Sequence, residues 1–366
     1  MTLDRASAGA TMRAMRERNA RTCRDHEGGS AEPTLRCCCD AIESRKGSVT
    51  DQRIHAMMAG SAPSVEGEAP YRGLATWYRV AGPCRADATP IVVVHGGPGF
   101  GHDYLAPIDG LADSRRMAFY DQIGCGRSAR PGWFPQSPVA WLVGELENLL
   151  DRLGWADDHI VLGHSSGAVI AMEYAARVPK GLRGLVLSNA YASMPAFSAG
   201  VRARREEVAA AVRAKAGLPQ AGDDDAIMAL VLERHVCRVQ PPPAELQRSL
   251  AMWSSDPRMF QAQYGPSLFE PMGALRNWSI DGRLDRIEAP TLVLHGHHDL
   301  AGEAAMKPLL AIPTVRHRIF AQSSHMAHLE EPDRFMREVR AFLADLERSA
   351  AGAHHLLSHA TLNRVP

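Results

Sequence analysis

The strongest chemical signal in the chain is the pentapeptide Gly163-His164-Ser165-Ser166-Gly167. It follows an apolar run at 160–162 and precedes an apolar stretch beginning at Ala168, so G-x-S-x-G stands between an expected strand and an expected helix. Glycines on both sides let the chain turn sharply enough to lift Ser165 above a sheet, where its hydroxyl serves as a nucleophile. The backbone N–H of Ser166 is the expected first donor to an oxyanion. A second cluster, His95-Gly96-Gly97-Pro98-Gly99, follows an earlier strand and offers backbone N–H groups where no side chain intrudes. Gly97 is the expected second donor, with Gly96 as the fallback.

A nucleophilic serine needs a base, and the base needs an orienting acid. Asp299 closes the run Thr291-Leu-Val-Leu-His-Gly-His-His-Asp299, just past a strand. His325 lies in Ser323-Ser324-His325-Met326, past the final strand and before the closing helix. Both positions suit side chains that meet Ser165 over the carboxyl ends of strands. His328 is the rival base; His325 is preferred as the nearer to its strand. His295, His297 and His298 crowd around Asp299 and offer a metal-binding alternative, but the serine elbow already accounts for the site. No metal and no cofactor is expected.

The elements that must position these groups alternate strand and helix. Expected strands fall at 73–80, 91–95, 117–120, 160–162, 185–187, 291–295 and 316–320, and expected helices at 139–153, 168–178 and 333–346. Such alternation predicts an α/β fold, a mostly parallel sheet covered on both faces, its core formed by 63–190 and 286–348. Residues 191–285 interrupt the rhythm with helical segments only, and read as an inserted lid. Trp253, Phe260, Tyr264, Phe269 and Trp278 fall in that lid, and its aromatics are expected to line an acyl pocket. Residues 1–62 read as a mobile extension, with a short helix near 11–21, and 349–366 as a tail carrying His354, His355 and His359.

Composition narrows the function classes. The 366 residues carry 41 basic and 41 acidic side chains, so a general polyanion or nucleic-acid binder is not expected. No apolar run approaches the roughly 20 residues of a membrane span, and no secretory h-region is visible at the N-terminus. The seven cysteines form no disulfide framework: Cys23, Cys37, Cys38 and Cys39 crowd at the start and the rest are scattered. Reduced thiols and a cytoplasmic location follow as expectations.

His95–Gly99, His102-Asp103-Tyr104-Leu105, Asp121-Gln122-Ile123-Gly124-Cys125-Gly126-Arg127-Ser128 and Arg234-His235-Val236-Cys237-Arg238 together resemble the proline iminopeptidase family of α/β-hydrolases. The likeness runs from about residue 65 to 346. It implies an α/β-hydrolase fold and release of an N-terminal residue, often proline, from a short peptide or amino-acid amide by Ser165, Asp299 and His325. Related enzymes hydrolyse esters and other amides. The chain departs from the family at several places. Ser166 stands where an aromatic residue is usual, and Ala168 where a second glycine is. The lid motif reads Gly265-Pro266-Ser267-Leu268-Phe269, with Leu268 in place of a glutamate, and Leu300 replaces a glutamate often found after the acid. Those carboxylates pair with the substrate's ammonium group, which costs several kcal/mol to bury unpaired. Glu270, Glu330 and Glu331 are the nearby carboxylates available to compensate. Trp253, Phe269, Glu270 and Trp278 are the expected substrate contacts, and the expected partner is a small molecule or short peptide.

Overall fold

The computed structural model describes residues 64–85, 88–132, 138–216 and 224–362. The expected extension over 1–62 and its cysteine cluster lie outside these residues. In chain order, the first elements are β1 (Ser64–Tyr71), β2 (Leu74–Ala81), β3 (Ile91–Val94), β4 (Met117–Tyr120), α1 (Pro138–Leu153), β5 (His159–His164), α2 (Ser166–Ala175) and β6 (Leu182–Ser188). There follow α3 (Met194–Ala216), α4 (Asp224–His235), α5 (Ala244–Ser255), α6 (Arg258–Gln263), β7 (Thr291–Gly296), α7 (Gly302–Met306), β8 (Val315–Phe320), α8 (Ala327–Glu330) and α9 (Pro332–Leu362).

One eight-stranded sheet runs in the order β1-β2-β4-β3-β5-β6-β7-β8. β1 and β2 pair antiparallel, as do β2 and β4; from β4 onward every pairing is parallel. β3, β5 and β7 bury every residue, as strands covered on both faces must. Along β3 the side chains alternate. Val92 and Val94 pack with Trp141, Leu146 and Met172 of α1 and α2, and Ile91 and Val93 face the side of Phe335, Val339 and Phe342 of α9.

Two outcomes differ from the sequence expectation. β1 was not expected, because its polar edge residues and Pro70 mask the alternation. It joins β2 through a two-residue turn in which Arg72 and Gly73 both take positive φ, 50° and 82°, the geometry that suits strand twist. The closing helix also runs on past 346 and through 349–362, where a tail was expected. Several alanines and no proline stand there to stop it.

Between β6 and β7 lie α3 to α6, and none of the named strands falls among them. This insertion has its own apolar core of Val208, Ile227, Val231, Phe260 and Leu275, which reaches Tyr191 and Leu300 on the sheet side. Its two ends meet. Ser193 and Ser279 form an isolated antiparallel bridge, flanked by Met194 N–H to Trp278 C=O (2.9 Å) and Ile280 N–H to Ala192 C=O (2.9 Å). Among the described residues, no helix is long and apolar enough to cross a membrane.

Candidate active site

The turn between β5 and α2 places Ser165 at φ 55° and ψ −124°, a backbone conformation L-residues rarely adopt. The flanking glycines are required by close approach. A Cβ on Gly167 would collide with the carbonyl oxygens of Val94 and His95, and one on Gly163 would lie 2.8 Å from the Ala168 Cα. The elbow is thus wedged against the end of β3.

Ser165 Oγ lies 2.8 Å from His325 Nε2, and His325 Nδ1 lies 2.8 Å from Asp299 Oδ2. A carboxylate only accepts, so Nδ1 carries the proton and Nε2 is the acceptor for the serine hydroxyl. Asp299 is fully buried and amply partnered: Oδ2 also accepts from Asn189 Nδ2 (2.7 Å), and Oδ1 accepts from the Ala301 N–H (2.7 Å). Burial alone would raise its carboxyl, but the His325 and His295 imidazoles and these hydrogen bonds outweigh it and hold the pKa well below the usual range.

The Gly96–Gly97 loop packs directly on the nucleophile. A Cβ on Gly96 would sit 2.7 Å from His164 O and 2.8 Å from Ser165 Cβ. The Gly96 N–H donates to Tyr104 Oη at 2.7 Å and is thus engaged, whereas Gly97 lines the cavity. Gly97 has φ 132°, a conformation suited to glycine. Ser166 opens α2, so its N–H has no partner within the helix.

A chain of hydrogen bonds ties these loops together. His164 Nε2 donates to the His325 carbonyl (2.9 Å), and its Nδ1 accepts from Tyr104 Oη (2.8 Å), which in turn accepts from Gly96. This order requires a neutral His164, and burial, with His325 and His328 nearby, does hold its pKa well below the ordinary value. His95 adds a brace: its Nδ1 donates to the Gly96 carbonyl (2.8 Å) and its Nε2 accepts from Gln122 N–H (2.9 Å).

The other sequence candidates sort clearly. His328 does not reach Ser165; its Nε2 donates to the Tyr104 carbonyl (3.0 Å), and burial pulls its pKa down to about 4. His295 is buried with both ring nitrogens unpaired, and no group of metal-ligand side chains occurs among the described residues. Trp253 and Phe269 line a cavity of about 410 Å³ over Ser165 and His325. Glu270 and Trp278 do not line it. Glu270 is exposed, and Trp278 turns away to donate from Nε1 to Glu173 (2.7 Å). Glu330 and Glu331 are also engaged elsewhere: Glu330 accepts from Ser324 and from the Arg238 N–H, and Glu331 from Ser323 and Gln322.

Leu268 and Leu300, by contrast, both line the cavity, with Phe260 and Leu232 completing an apolar wall. No Asp or Glu is among the residues that line it. Two positioning residues escaped the sequence reading, Asn189 and Tyr104. Asn189 directly follows β6, and its φ of 50° is one that asparagine tolerates better than most side chains, a faint signal at best.

Known proteins match this architecture. A family model for the alpha/beta hydrolase fold matches residues 89–332. The chain is similar to the proline iminopeptidase of Saccharolobus solfataricus, 30% identical over 73% of this chain and 87% of that one. It is also 30% identical to the proline iminopeptidase of Clostridium botulinum, over 76% of this chain and 97% of the other. Among crystal structures, a proline iminopeptidase from Mycobacterium smegmatis superposes with a TM-score of 0.72 at 34% identity, covering 78% of this chain and 99% of that one. VinJ superposes with a TM-score of 0.70 at 36% identity, covering 77% and 98%. The chain belongs to the α/β-hydrolase fold family and is a hydrolase of its proline iminopeptidase-like branch.

Proposed function

We propose that this enzyme hydrolyses an amide or peptide bond of a small substrate through a covalent acyl-Ser165 intermediate. The observation that carries the reading is the unbroken line Ser165–His325–Asp299 at 2.8 Å per step, with two backbone donors beside it. Ser165 Oγ attacks the substrate carbonyl carbon while its proton passes to His325 Nε2. The N–H groups of Gly97 and Ser166 bind the resulting oxyanion. As the C–N bond breaks, His325 returns the proton to the departing amine. Water then attacks the acyl-serine, giving a proton to His325, and the carboxylic acid leaves as Ser165 recovers its proton. Asp299 stays ionised throughout, fixing the imidazole tautomer and stabilising the imidazolium. At about 410 Å³ the cavity lies toward the lower end of small-molecule sites, roughly 300–1,000 Å³, which supports a small or short-peptide substrate.

Ser165→Ala is expected to lower kcat by about 10⁶ if the three side chains act as a unit. Near-full activity in that variant, or failure of Ser165 to take a fluorophosphonate label, removes the proposal.

A second reading is favoured by the cavity wall. With Leu268 and Leu300 where carboxylates are usual in the family, an ester or amide whose acyl half has no free amine also suits the site. Comparing prolyl p-nitroanilide, its N-acetylated form and p-nitrophenyl acetate distinguishes the two readings.

A further inference from the structure

Tyr264 lies at the end of α6, is fully buried, and is one of the insertion residues that line the cavity. It is held from several directions. Its carbonyl accepts from the N–H groups of Met272 (2.9 Å) and Gly273 (3.0 Å), and its ring packs between Phe197 and Phe260 at centroid distances of 5.9 and 5.4 Å. Its Oη lies 2.6 Å from Tyr191 Oη. The phenol is therefore held in place on a cavity that Ser165 also lines, among insertion residues that are otherwise mostly apolar.

Proton counting shows what this oxygen is free to do. Tyr191 and Tyr264 hold two hydroxyl protons, and one hydrogen bond links them. Tyr191 is fully buried between Phe197 and Trp278, and Tyr264 is its only hydroxyl partner among the described residues. If Tyr264 donated to Tyr191, the Tyr191 proton would be stranded among aromatic rings, at a cost of about 1–3 kcal/mol. Tyr191 is thus the donor. The Tyr264 proton then has no acceptor within this pair, and Tyr264 is the one of the two that lines the cavity. Burial raises both phenols well above their ordinary pKa, so both remain donors at any working pH.

We infer that Tyr264 determines specificity, donating its hydroxyl proton to the substrate's α-amine bound as the uncharged free base. The inference rests on the acyl-Ser165 reading. It also explains how a relative of the proline iminopeptidases handles an aminoacyl group with leucines at 268 and 300: an apolar wall excludes the ammonium form, while a neutral amine needs only a donor for its lone pair. The titratable side chains that line the cavity are Tyr104, His164, Tyr264 and His325, none of them a carboxylate, and Asp299 stands behind His325.

The test uses the full chain. The ratio of kcat/KM for prolyl p-nitroanilide to that for N-acetylprolyl p-nitroanilide is followed with pH, so that pH effects on the steps common to both substrates cancel. The ratio is expected to rise as the substrate amine loses its proton, roughly at pH 7.7–8.0 for an α-amino group. A ratio that falls or stays flat, or no cleavage of the free-amine substrate by protein whose Ser165 still takes a fluorophosphonate label, overturns the inference. Loss of labelling instead defeats the acyl-Ser165 reading itself. Variants give a second, independent check, using kcat/KM for prolyl p-nitroanilide relative to p-nitrophenyl acetate. Tyr264→Phe is expected to lower this ratio about fivefold or more, the effect of one neutral hydrogen bond, whereas Tyr191→Phe is expected to preserve it. Equal shifts in both variants, or none in either, assign the tyrosine pair to packing alone and overturn the inference.

Discussion

The floor and the roof of the cavity are built on different principles. The floor is the carboxyl edge of the sheet, where Ser165, Asp299, His325, Gly96 and His164 are each fixed by at least one short hydrogen bond to a partner from another loop. The roof is the insertion, where Trp253, Phe260, Leu268 and Phe269 meet the cavity with apolar surface and Tyr264 supplies its buried hydroxyl. Hydrogen bonds are directional and costly to leave unmade, so the floor holds atoms to within a fraction of an ångström. Dispersion and apolar burial are non-directional, so the roof sets shape and polarity while tolerating exchange of one apolar group for another. Reaction type thus belongs to the floor and substrate choice to the roof.

This division is open to attack from both sides. The largest effect is expected at the floor: Asn189→Gly, which accommodates the positive φ while removing the Nδ2 hydrogen bonds to Asp299 and to the Ser324 carbonyl (2.9 Å), is expected to lower kcat about 10- to 100-fold with KM little changed. A variant that instead raised KM alone would place Asn189 with the substrate rather than with Asp299. At the roof, Leu268→Glu is expected to raise the preference for prolyl over N-acetylprolyl p-nitroanilide about tenfold near pH 7, by supplying the absent counter-charge. No change in that preference would mean that the roof does not choose the substrate. The smallest effect concerns Glu145 of α1, which is fully buried beneath the floor. Burial pushes its pKa up to about 8, although Thr76 Oγ1 (2.6 Å) and the Ile123 N–H (2.9 Å) both donate to Oε1. The acid is protonated when folded and ionised when unfolded between its ordinary value of 4.5 and about 8, so its contribution to stability declines as pH rises through that window. Glu145→Gln is expected to raise Tm more at pH 8 than at pH 5; an equal shift at both would mean that Glu145 does not titrate across the transition.

Parts of the molecule that obey simple periodicities were legible in the sequence. The parallel strands announce themselves as apolar runs, and Ser165, Asp299 and His325 could be found because each lies a residue or a few past such a run. That Gly97 lines the cavity could be anticipated from the glycine-rich loop type alone. Polar contacts between distant segments were not legible, because nothing in Asn189 or Tyr104 marks the partner that its side chain will meet. The same limit explains the uneven fate of the aromatics: Trp253 and Phe269 face the cavity, while Trp278, three residues beyond Leu275, falls on the side where Glu173 offers an acceptor. Glu270 was the natural compensating charge on spacing alone. It lies outside the cavity, whereas Leu268, two positions earlier, lines it.

The bridge between Ser193 and Ser279 has a consequence for how such an enzyme diversifies. Everything from 194 to 278 departs and returns through one narrow neck, and neither the nucleophile, its base nor its acid lies within that excursion. The segment is a cassette. A different stretch of chain that ends in the same bridged pair of residues can be grafted there, since closing a longer loop costs little extra free energy. Recombination at this neck renews the substrate repertoire in a single event, and the machinery beneath is inherited intact.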